Sequence, residues 1–555
     1  MPYRFSDFVN ARVAAAAFFF AAAAYGMARA TRLNWVCDDA FISFRYALNL
    51  ARGEGLVFNV GEYVEGFTNL LWTLALAPFF ALDDDIDIVV VSKVLGLFCY
   101  ALLLLEYFRQ ARAGDSDADA PAWPAWPLTL PAVAAHHHLH VFATSGLETM
   151  LFTLLITGGA LRLARRNLSE SSAAFAFVLL ALACLTRPDG LLIYGLAAIF
   201  TTLVDLRETA ATGAPTLWNL YSAISFEWVR REMRRHSFFV FAVGGSFVFR
   251  FFYYGDLLPN TFYAKSAHDP YVGQGFYYAG LYFAAYWISL PMLAASVLVA
   301  WRRADRFALI PLLCCAWIAY VIWVGGDFMF ARFLIPITPL LYFAGEVAAR
   351  SFLRGRLKAA PPPDEYRLTR PYRREYFVWW GAALILLAAT GLRYDPFKGR
   401  PLPVIRYVGE EYKIYTDDGM RQLRATALAT RASMQAVDPV VAFVGAQAAL
   451  IFYWDISTAI EAQTGLTDRT IARIPLEERG WIGHEKTAPL AYLRERDVAF
   501  ILRPPPLERR RPNWNVMKIK GLIGEFEIIN YRPEAMERLR RDERFEIPGR
   551  GNGER

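Results

Sequence analysis

Apolar runs of about twenty residues recur along most of this chain, and they limit its fold more than any other feature. A hydrocarbon layer about 30 Å thick takes roughly 20 residues of helix to cross. Candidate spans lie near 13–30, 86–108, 124–143, 147–164, 172–186, 190–206, 237–253, 276–300, 307–324, 331–349 and 377–393, about eleven in all. At 55% hydrophobic and 20% charged over 555 residues, the composition is too apolar for an ordinary soluble chain. Many Trp and Tyr residues stand at the ends of apolar runs, where they favour the water–lipid boundary. The formal charge of +7 comes from Arg-rich loops, so it reads as topology and not as nucleic-acid binding. The expected class is a polytopic α-helical membrane protein.

The stretch 68–82, TNLLWTLALAPFFAL, is a further candidate span. Loop charge decides against it, because basic residues favour cytoplasmic loops. With 68–82 in the interface, the loops carrying Arg109/Arg112, Arg162/Arg165/Arg166, Arg230/Arg231/Arg234/Arg235, Arg302/Arg303/Arg306 and Arg350/Arg354/Arg356/Lys358 all fall inside. The weakly basic loops 83–87, 145–149, 187–190, 253–265 and 325–329 then fall outside. If 68–82 spans, the bias inverts. The segment is short and contains Pro78, so a juxtamembrane helix is expected. The first span resembles a signal peptide only in Ala28-Arg29-Ala30, and an Arg disfavours cleavage there.

This parity places the N-terminus in the cytoplasm, and residues 1–393 form the membrane domain. Residues 394–555 are then a soluble α/β domain outside. VVAFVG (440–445) and VAFIL (498–502) read as buried strands, and 446–459 and 533–541 as helices, an order that suggests a doubly wound sheet. The Pro- and Arg-rich 355–376 reads as a cytoplasmic linker. Cys37, Cys99, Cys184, Cys314 and Cys315 have the spacing of neither a disulfide framework nor a zinc site.

The loop after the first span reads WVCDDAFISFRYA. Two carboxylates, Asp38 and Asp39, at a membrane face are costly unless water, a cation or a substrate meets them. The competing reading is a helix cap on 40–51, which is good capping chemistry. The next stretch, GEGLVFNVGEYVEGFTN (53–69), suits a tight loop on the membrane, either a connector or a pocket wall using Glu65 and Asn69. Glu148 opens a span, where a helix N-terminus stabilises it. Arg187 and Asp189 share a turn. Lys265 and Arg332 stand at the membrane boundary, either snorkelling to headgroups or holding a lipid phosphate. The tract His136, His137, His138 and His140 has no metal-site spacing, and the preferred reading is the lining of a wet cavity near Glu148.

The run DDAFISFRYA (38–47), continued by GEGLVFNVGEYVEGFTNLLW (53–72), resembles the GT-C superfamily of polyprenyl-phosphate-sugar transferases. Within it the chain looks most like the terminal β-(1→2)-arabinofuranosyltransferases of cell-wall arabinan. TSGLET, RPDG, YYGDLLPNTFYAK, GGDFMFARFLIP, GLTDRTIAR and GHEK fit the same pattern, whereas the His tract and the short loop 109–122 do not. The resemblance implies a GT-C fold, about eleven spans plus juxtamembrane helices, and an acidic residue at the reacting centre.

The implied reaction moves a pentofuranose, D-arabinofuranose, from polyprenyl phosphate to a glycan hydroxyl on the outer face of the cytoplasmic membrane. It needs a base, positive charge for the leaving phosphate and a shaped sugar site. Asp38 or Asp39 would be the catalytic carboxylate. Arg332, Lys265 and Arg187 would hold the phosphate. Arg45, Glu65, Asn69, Glu148, Asp256, Asn260 and Asp327 would orient sugars and substrate. A β-linked product from a β-phosphoryl donor is net retention, which a single displacement does not give. A divalent cation, Mg²⁺ or Ca²⁺, between the two aspartates and the phosphate suits hard oxygen ligands. Trp454, Trp481 and Tyr453 offer stacking faces to an acceptor. Two rivals remain, a protein O-glycosyltransferase with a glycoprotein acceptor and a polyprenyl-lipid or sugar transporter, whose ionisable groups would lie nearer mid-membrane.

Overall fold

The computed structural model describes residues 5–113, 128–209, 225–266, 269–357, 393–444, 447–503, 516–522 and 524–547. A helical region runs to Leu357, and a mixed α/β region begins at Val404. The helices of the first region are α1 (Phe5–Leu33), α2 (Ala40–Ala51), α3 (Leu70–Leu82), α4 (Ile88–Ala113), α5 (Thr129–Ala135), α6 (His137–Ala143), α7 (Thr149–Leu163), α8 (Glu170–Thr186) and α9 (Gly190–Thr209). They continue as α10 (Phe226–Phe239), α11 (Gly245–Tyr254), α12 (Asn260–Ala264), α13 (Val272–Ala285), α14 (Ser289–Arg303), α15 (Leu309–Val324) and α16 (Thr338–Leu357).

Among the described residues, Ile88–Arg109, Gly190–Glu208, Phe226–Tyr254 and Arg306–Val324 are long and apolar enough to cross a membrane. The third of these passes through a π-helical turn, Val240–Gly244, between α10 and α11. The helices α7 and α8, of 15 and 17 residues, are apolar but shorter. The stretch 68–82 forms the 13-residue α3 with Pro78 inside it, about 20 Å long. It packs against α2. The candidate span near 377–393 lies almost entirely outside the described residues, as do most of the linker 355–376 and of the loop 109–122.

Two expected spans break into two helices, and a third, 331–349, is α-helical only from Thr338. The run 276–300 breaks into α13 and α14, which meet at 99°. Pro291 explains the break: its ring would collide with the carbonyl four residues back if one helix ran through, but it fits the first turn of a new helix. The run 124–143 breaks at His136, whose backbone is extended and whose side-chain Nδ1 caps α6 by accepting from the Leu139 N–H at 3.2 Å. The other histidines are partnered, His138 and His140 buried and His137 half-buried. His138 Nδ1 lies 2.6 Å from Tyr286 Oη, His137 Nε2 lies 3.2 Å from Tyr412 Oη, and His140 Nε2 lies 2.8 Å from Ala134 O. The tract is therefore packing between α5, α6 and α13, and not the lining of a wet cavity near Glu148.

The second region holds a hairpin, β1 (Val404–Ile405) with β2 (Val408–Gly409), and a six-stranded sheet. The sheet strands are β3 (Val441–Phe443), β4 (Ala459–Glu461), β5 (Phe500–Arg503), β6 (Val516–Ile519), β7 (Glu525–Ile528) and β8 (Phe545–Glu546), in the order β4-β3-β5-β7-β6-β8. Only β4, β3 and β5 are parallel; β7, β6 and β8 join antiparallel. The expected doubly wound sheet is thus half realised. The short link from β6 to β7 can make only a hairpin, since a parallel crossover needs a dozen or more residues. Helices α17 (Glu411–Ile414), α18 (Asp417–Val437), α19 (Ala448–Trp454), α20 (Arg469–Ala472), α21 (Leu490–Glu495) and α22 (Pro533–Arg540) complete the region.

The two regions meet over α2, which is buried from Ala40 through Asn49. Phe41 and Phe44 pack on Phe452, with ring centroids 5.5 and 6.2 Å away, and Phe58 packs on Phe443 at 6.1 Å. Each such aromatic contributes roughly 1.5–3 kcal/mol by burial. Gly66 lets the chains close, because a Cβ there would stand 2.7 Å from Leu466 O.

Candidate active site

The loop between α1 and α2 is held by Trp35 Nε1, which donates to Val141 O at 2.6 Å, and by the Cys37 N–H, which donates to Ser145 O at 2.8 Å. From this frame the two aspartates point apart. Asp38 is buried, and its carboxylate accepts the backbone N–H groups of Ala448 and Ala449 at 2.8 and 2.9 Å. It caps a helix, as capping chemistry suggests, but that helix is α19 of the second region. Burial pushes its carboxyl up to about 7, against the pull of the two N–H donors. Asp39 stands at the N-cap position of α2 without making a side-chain cap bond.

Asp39 faces a group of charges brought from three other segments. Its charge bears on Lys265 at the end of α12, on Arg332 after α15 and on Glu411 at the start of α17. Arg332 Nε approaches Asp327 Oδ2 to 2.7 Å, and its Nη1 donates to Met329 Sδ at 3.1 Å. Among the described residues, Asp39, Lys265 and Glu411 have no side-chain hydrogen bond or ion pair. Burial, and then the neighbouring Arg332 charge, pull the Lys265 ammonium below its ordinary value. An arriving anion would reverse that shift.

Glu411 was not singled out in the sequence. The chain leading to it is pinned to the Asp327 loop by two bonds: the Gly409 N–H donates to Phe328 O at 2.7 Å and the Phe330 N–H to Gly409 O at 2.8 Å. Burial, followed by the negative charges of Asp39, Asp327 and Asp38, pushes the Glu411 carboxyl up to about 8. The motif GEEYKIY carries no local signal for this role.

Other expected residues form a saturated layer behind the first. Arg187 donates to Asp189 through Nε and Nη2 at 3.1 and 2.6 Å and to Glu148 through Nη1 at 3.0 Å. Tyr320 completes Asp189 at 2.6 Å. Burial opposes the Arg187 charge, but Asp189 and Glu148 outweigh it and hold its pKa above the ordinary value. Asn69 donates to Glu148 at 3.1 Å and to Ser43 at 2.9 Å. Glu65 is clamped by Arg250 at 2.5 and 3.1 Å.

A third set ties the regions together. Arg45 donates to Ile456 O at 2.7 Å, Asn260 to Gly465 O and Leu466 O at 2.8 and 2.9 Å, and Arg473 to Asp256 at 2.6 Å. Lys486 donates to Tyr263 O at 2.7 Å. Burial pushes Arg45 down to about 10, with the Asp455 charge opposing. Trp454 is fully buried, which leaves Trp481 as the exposed ring of those expected to stack.

Both Asp38 oxygens accept N–H groups, which leaves Asp39 as the member of the pair with an unengaged carboxylate. Among the described residues, no three His, Cys, Asp or Glu side chains gather as a metal site. Lys265 and Arg332 are the positive charges that face Asp39.

Helical bundle, docked α/β domain and charged seam together define a polytopic membrane protein of the GT-C fold. The crystal structure of ArnT from Cupriavidus metallidurans bound to undecaprenyl phosphate matches with a TM-score of 0.50 at 14% identity, over 81% of this chain and 87% of that one. In sequence, the chain is similar to a terminal β-(1→2)-arabinofuranosyltransferase of Corynebacterium glutamicum, 28% identical over 351 residues. The match covers 56% of this chain and 47% of that protein. The protein of the same name from Mycobacterium tuberculosis is 28% identical over 360 residues, 57% of this chain and 52% of its own. The chain thus spans about half the length of the curated relatives it matches. No family model matches it.

Proposed function

We propose that the protein transfers a sugar, D-arabinofuranose, from polyprenyl phosphate to a hydroxyl of an acceptor glycan. The observation that carries this reading is the unpartnered Asp39 carboxylate facing an unpartnered Lys265 ammonium and a partly engaged Arg332 guanidinium, at the seam of a GT-C fold. The names of the curated relatives support the sugar, and the undecaprenyl phosphate bound to ArnT supports the donor class. The loops carrying these charges are those that the basic-residue bias puts outside, so the reaction is assigned to the outer face of the cytoplasmic membrane.

In this mechanism the acceptor oxygen bonds to the anomeric carbon on the face that phosphate leaves, within the ion pair of sugar cation and phosphate, so configuration is retained, and Asp39 takes the acceptor proton. The bond from that carbon to the phosphate oxygen breaks, and phosphate leaves with the electron pair. Lys265 and Arg332 meet the charge that it gathers, in a site where burial makes each interaction count for more than in water. Arg187, Glu148, Asn69 and Asp189 hold the walls, and Asp38 holds the second domain over them.

The test is transfer by purified full-length protein from polyprenyl-phosphoryl arabinose to an arabinofuranosyl oligosaccharide, comparing wild type with Asp39→Asn. Loss of transfer with the fold intact supports the reading; full transfer by the variant removes it. Movement of intact lipid across vesicles without transfer would replace it with a transporter.

A further inference from the structure

The hairpin β1–β2 turns through Arg406 and Tyr407, both with positive φ, at 42° and 66°. Two-residue hairpins of this form ordinarily place Asn-Gly or similar pairs there, because a Cβ is strained in that region. Strain of this kind persists only where surrounding contacts impose it. Here Gln274 Nε2 donates to Arg406 O at 2.7 Å, and the Arg406 guanidinium lies 4.8 Å from the centre of the Tyr277 ring. The tip is thus fixed by the membrane region, and it presents Tyr407.

Tyr407 is 43% exposed and Trp481 39%, although each is a large ring that folding would ordinarily bury. Their centroids lie 6.2 Å apart at 41°. His484 follows at 6.0 Å from Trp481 and packs edge-on to Phe328 at 4.9 Å. Phe328 neighbours Asp327, and a Cβ on Gly483 would lie 3.6 Å from Lys265 Cε. The exposed rings are therefore continuous with the charged site. Apart from Lys265, which belongs to the charged site, the cations beside the rings are engaged, Arg406 over Tyr277 and Arg479 with Glu485 at 2.9 Å. What is left is a neutral aromatic step with one ring nitrogen of His484 free to meet a hydroxyl.

We infer that Tyr407, Trp481 and His484 form a subsite for a neutral saccharide, the acceptor chain, whose apolar C–H faces stack on the two rings while its terminal hydroxyl reaches Asp39. This rests on the glycosyl-transfer reading. It gives the strained tip a purpose: a relaxed Asn-Gly turn would carry no ring. The donor takes the charged end of the same seam.

The experiment measures binding of an arabinofuranosyl hexasaccharide to full-length protein in detergent by saturation-transfer NMR, with a glucose hexasaccharide alongside, and then acceptor and donor KM. Tyr407→Ala and Trp481→Ala should each weaken arabinofuranosyl binding and raise acceptor KM by roughly tenfold, with donor KM unchanged; Trp481→Phe should retain most of the binding. The pair Arg406→Asn with Tyr407→Gly should unfold at a higher temperature and still bind weakly, which separates the subsite from stability. Unaltered saccharide binding in the alanine variants, a change in donor KM alone, or weakened partition into vesicles with binding intact would overturn the subsite. Transfer by wild type with indifferent alanine variants would leave the reaction standing and remove the subsite. Binding lost in those variants, with no transfer by wild type, would do the reverse.

Discussion

Two buried charge clusters lie at opposite ends of α8, about 25 Å apart by helix length, and they differ in one respect. At the far end Asp205 accepts from Arg235 and Arg306 at 2.5 Å each. Arg235 also holds Glu170 at 2.7 Å and Glu232 at 2.9 Å, and Arg306 holds Glu208 at 2.7 Å. Each guanidinium there has carboxylate partners. At the near end Arg187 is equally satisfied, but Asp39 and Lys265 in front of it are not. Burying charge without a partner costs stability. On the proposed reaction, the open groups are the ones that a substrate's charges would meet.

The comparison breaks most sharply under substitution. Asp39→Asn should lower kcat/KM by roughly 10²–10⁴, the range for a lost general base, and leave thermal unfolding of the solubilised protein unchanged. Asp205→Ala should do the opposite. It removes the carboxylate that two buried guanidinium groups share, leaving each its outer partners, and should destabilise by about 1–3 kcal/mol, while the molecules that remain folded turn over normally. An unstable Asp39→Asn protein, or a stable Asp205→Ala one, would erase the distinction between the clusters.

The class of fold was legible from apolar runs, because lipid demands them whatever the tertiary contacts. The break between α13 and α14 carried a visible signal in Pro291, which an unbroken hydropathy run conceals. The first loop was legible as special, but its division of labour was not. Asp38 and Asp39 are alike in any local reading. They differ because the N-terminus of α19, some 410 residues later, lies against one of them. Arg45 and Asn260 were expected to bind substrate, yet Arg45 Nη2 and Asn260 Nδ2 donate to backbone carbonyls of the second domain, and Arg45 Nε donates to Phe58 O of the first. Glu411 sits in a stretch without periodicity or motif, and only the strand bridge from Gly409 to the Asp327 loop brings it into play. Long-range docking wrote these roles, and no window along the chain contains both partners.

Within the open cluster, Lys265→Met should raise donor KM by roughly 10- to 100-fold, the worth of one charge-assisted hydrogen bond, and leave acceptor KM alone. A change confined to acceptor KM would move the phosphate elsewhere. Asp38→Ala should cost about 1–2 kcal/mol, as loss of a helix cap does, and should speed hydrogen exchange at the Ala448 and Ala449 amides. Unaltered exchange there would mean that the cap does not hold the seam.

The finest discrimination is between Asp39 and Glu411, two carboxyls in one cluster. Burial and the surrounding negative charges push Glu411 up to about 8 from an ordinary 4.5. Its folded pKa is raised, so its contribution to stability is complete below about 4.5 and is lost as pH rises through about 8. Near neutral pH Glu411 is then a protonated carboxyl beside a carboxylate, an arrangement that lets one group donate while the other accepts. Transfer should therefore show an alkaline limb with an apparent midpoint near 8 in kcat/KM. Glu411→Gln keeps a neutral donor at every pH, so its profile should stay flat through that region with activity at pH 7 reduced only severalfold. A limb that survives in Glu411→Gln would assign the titration to another group and leave Asp39 as the sole acidic participant.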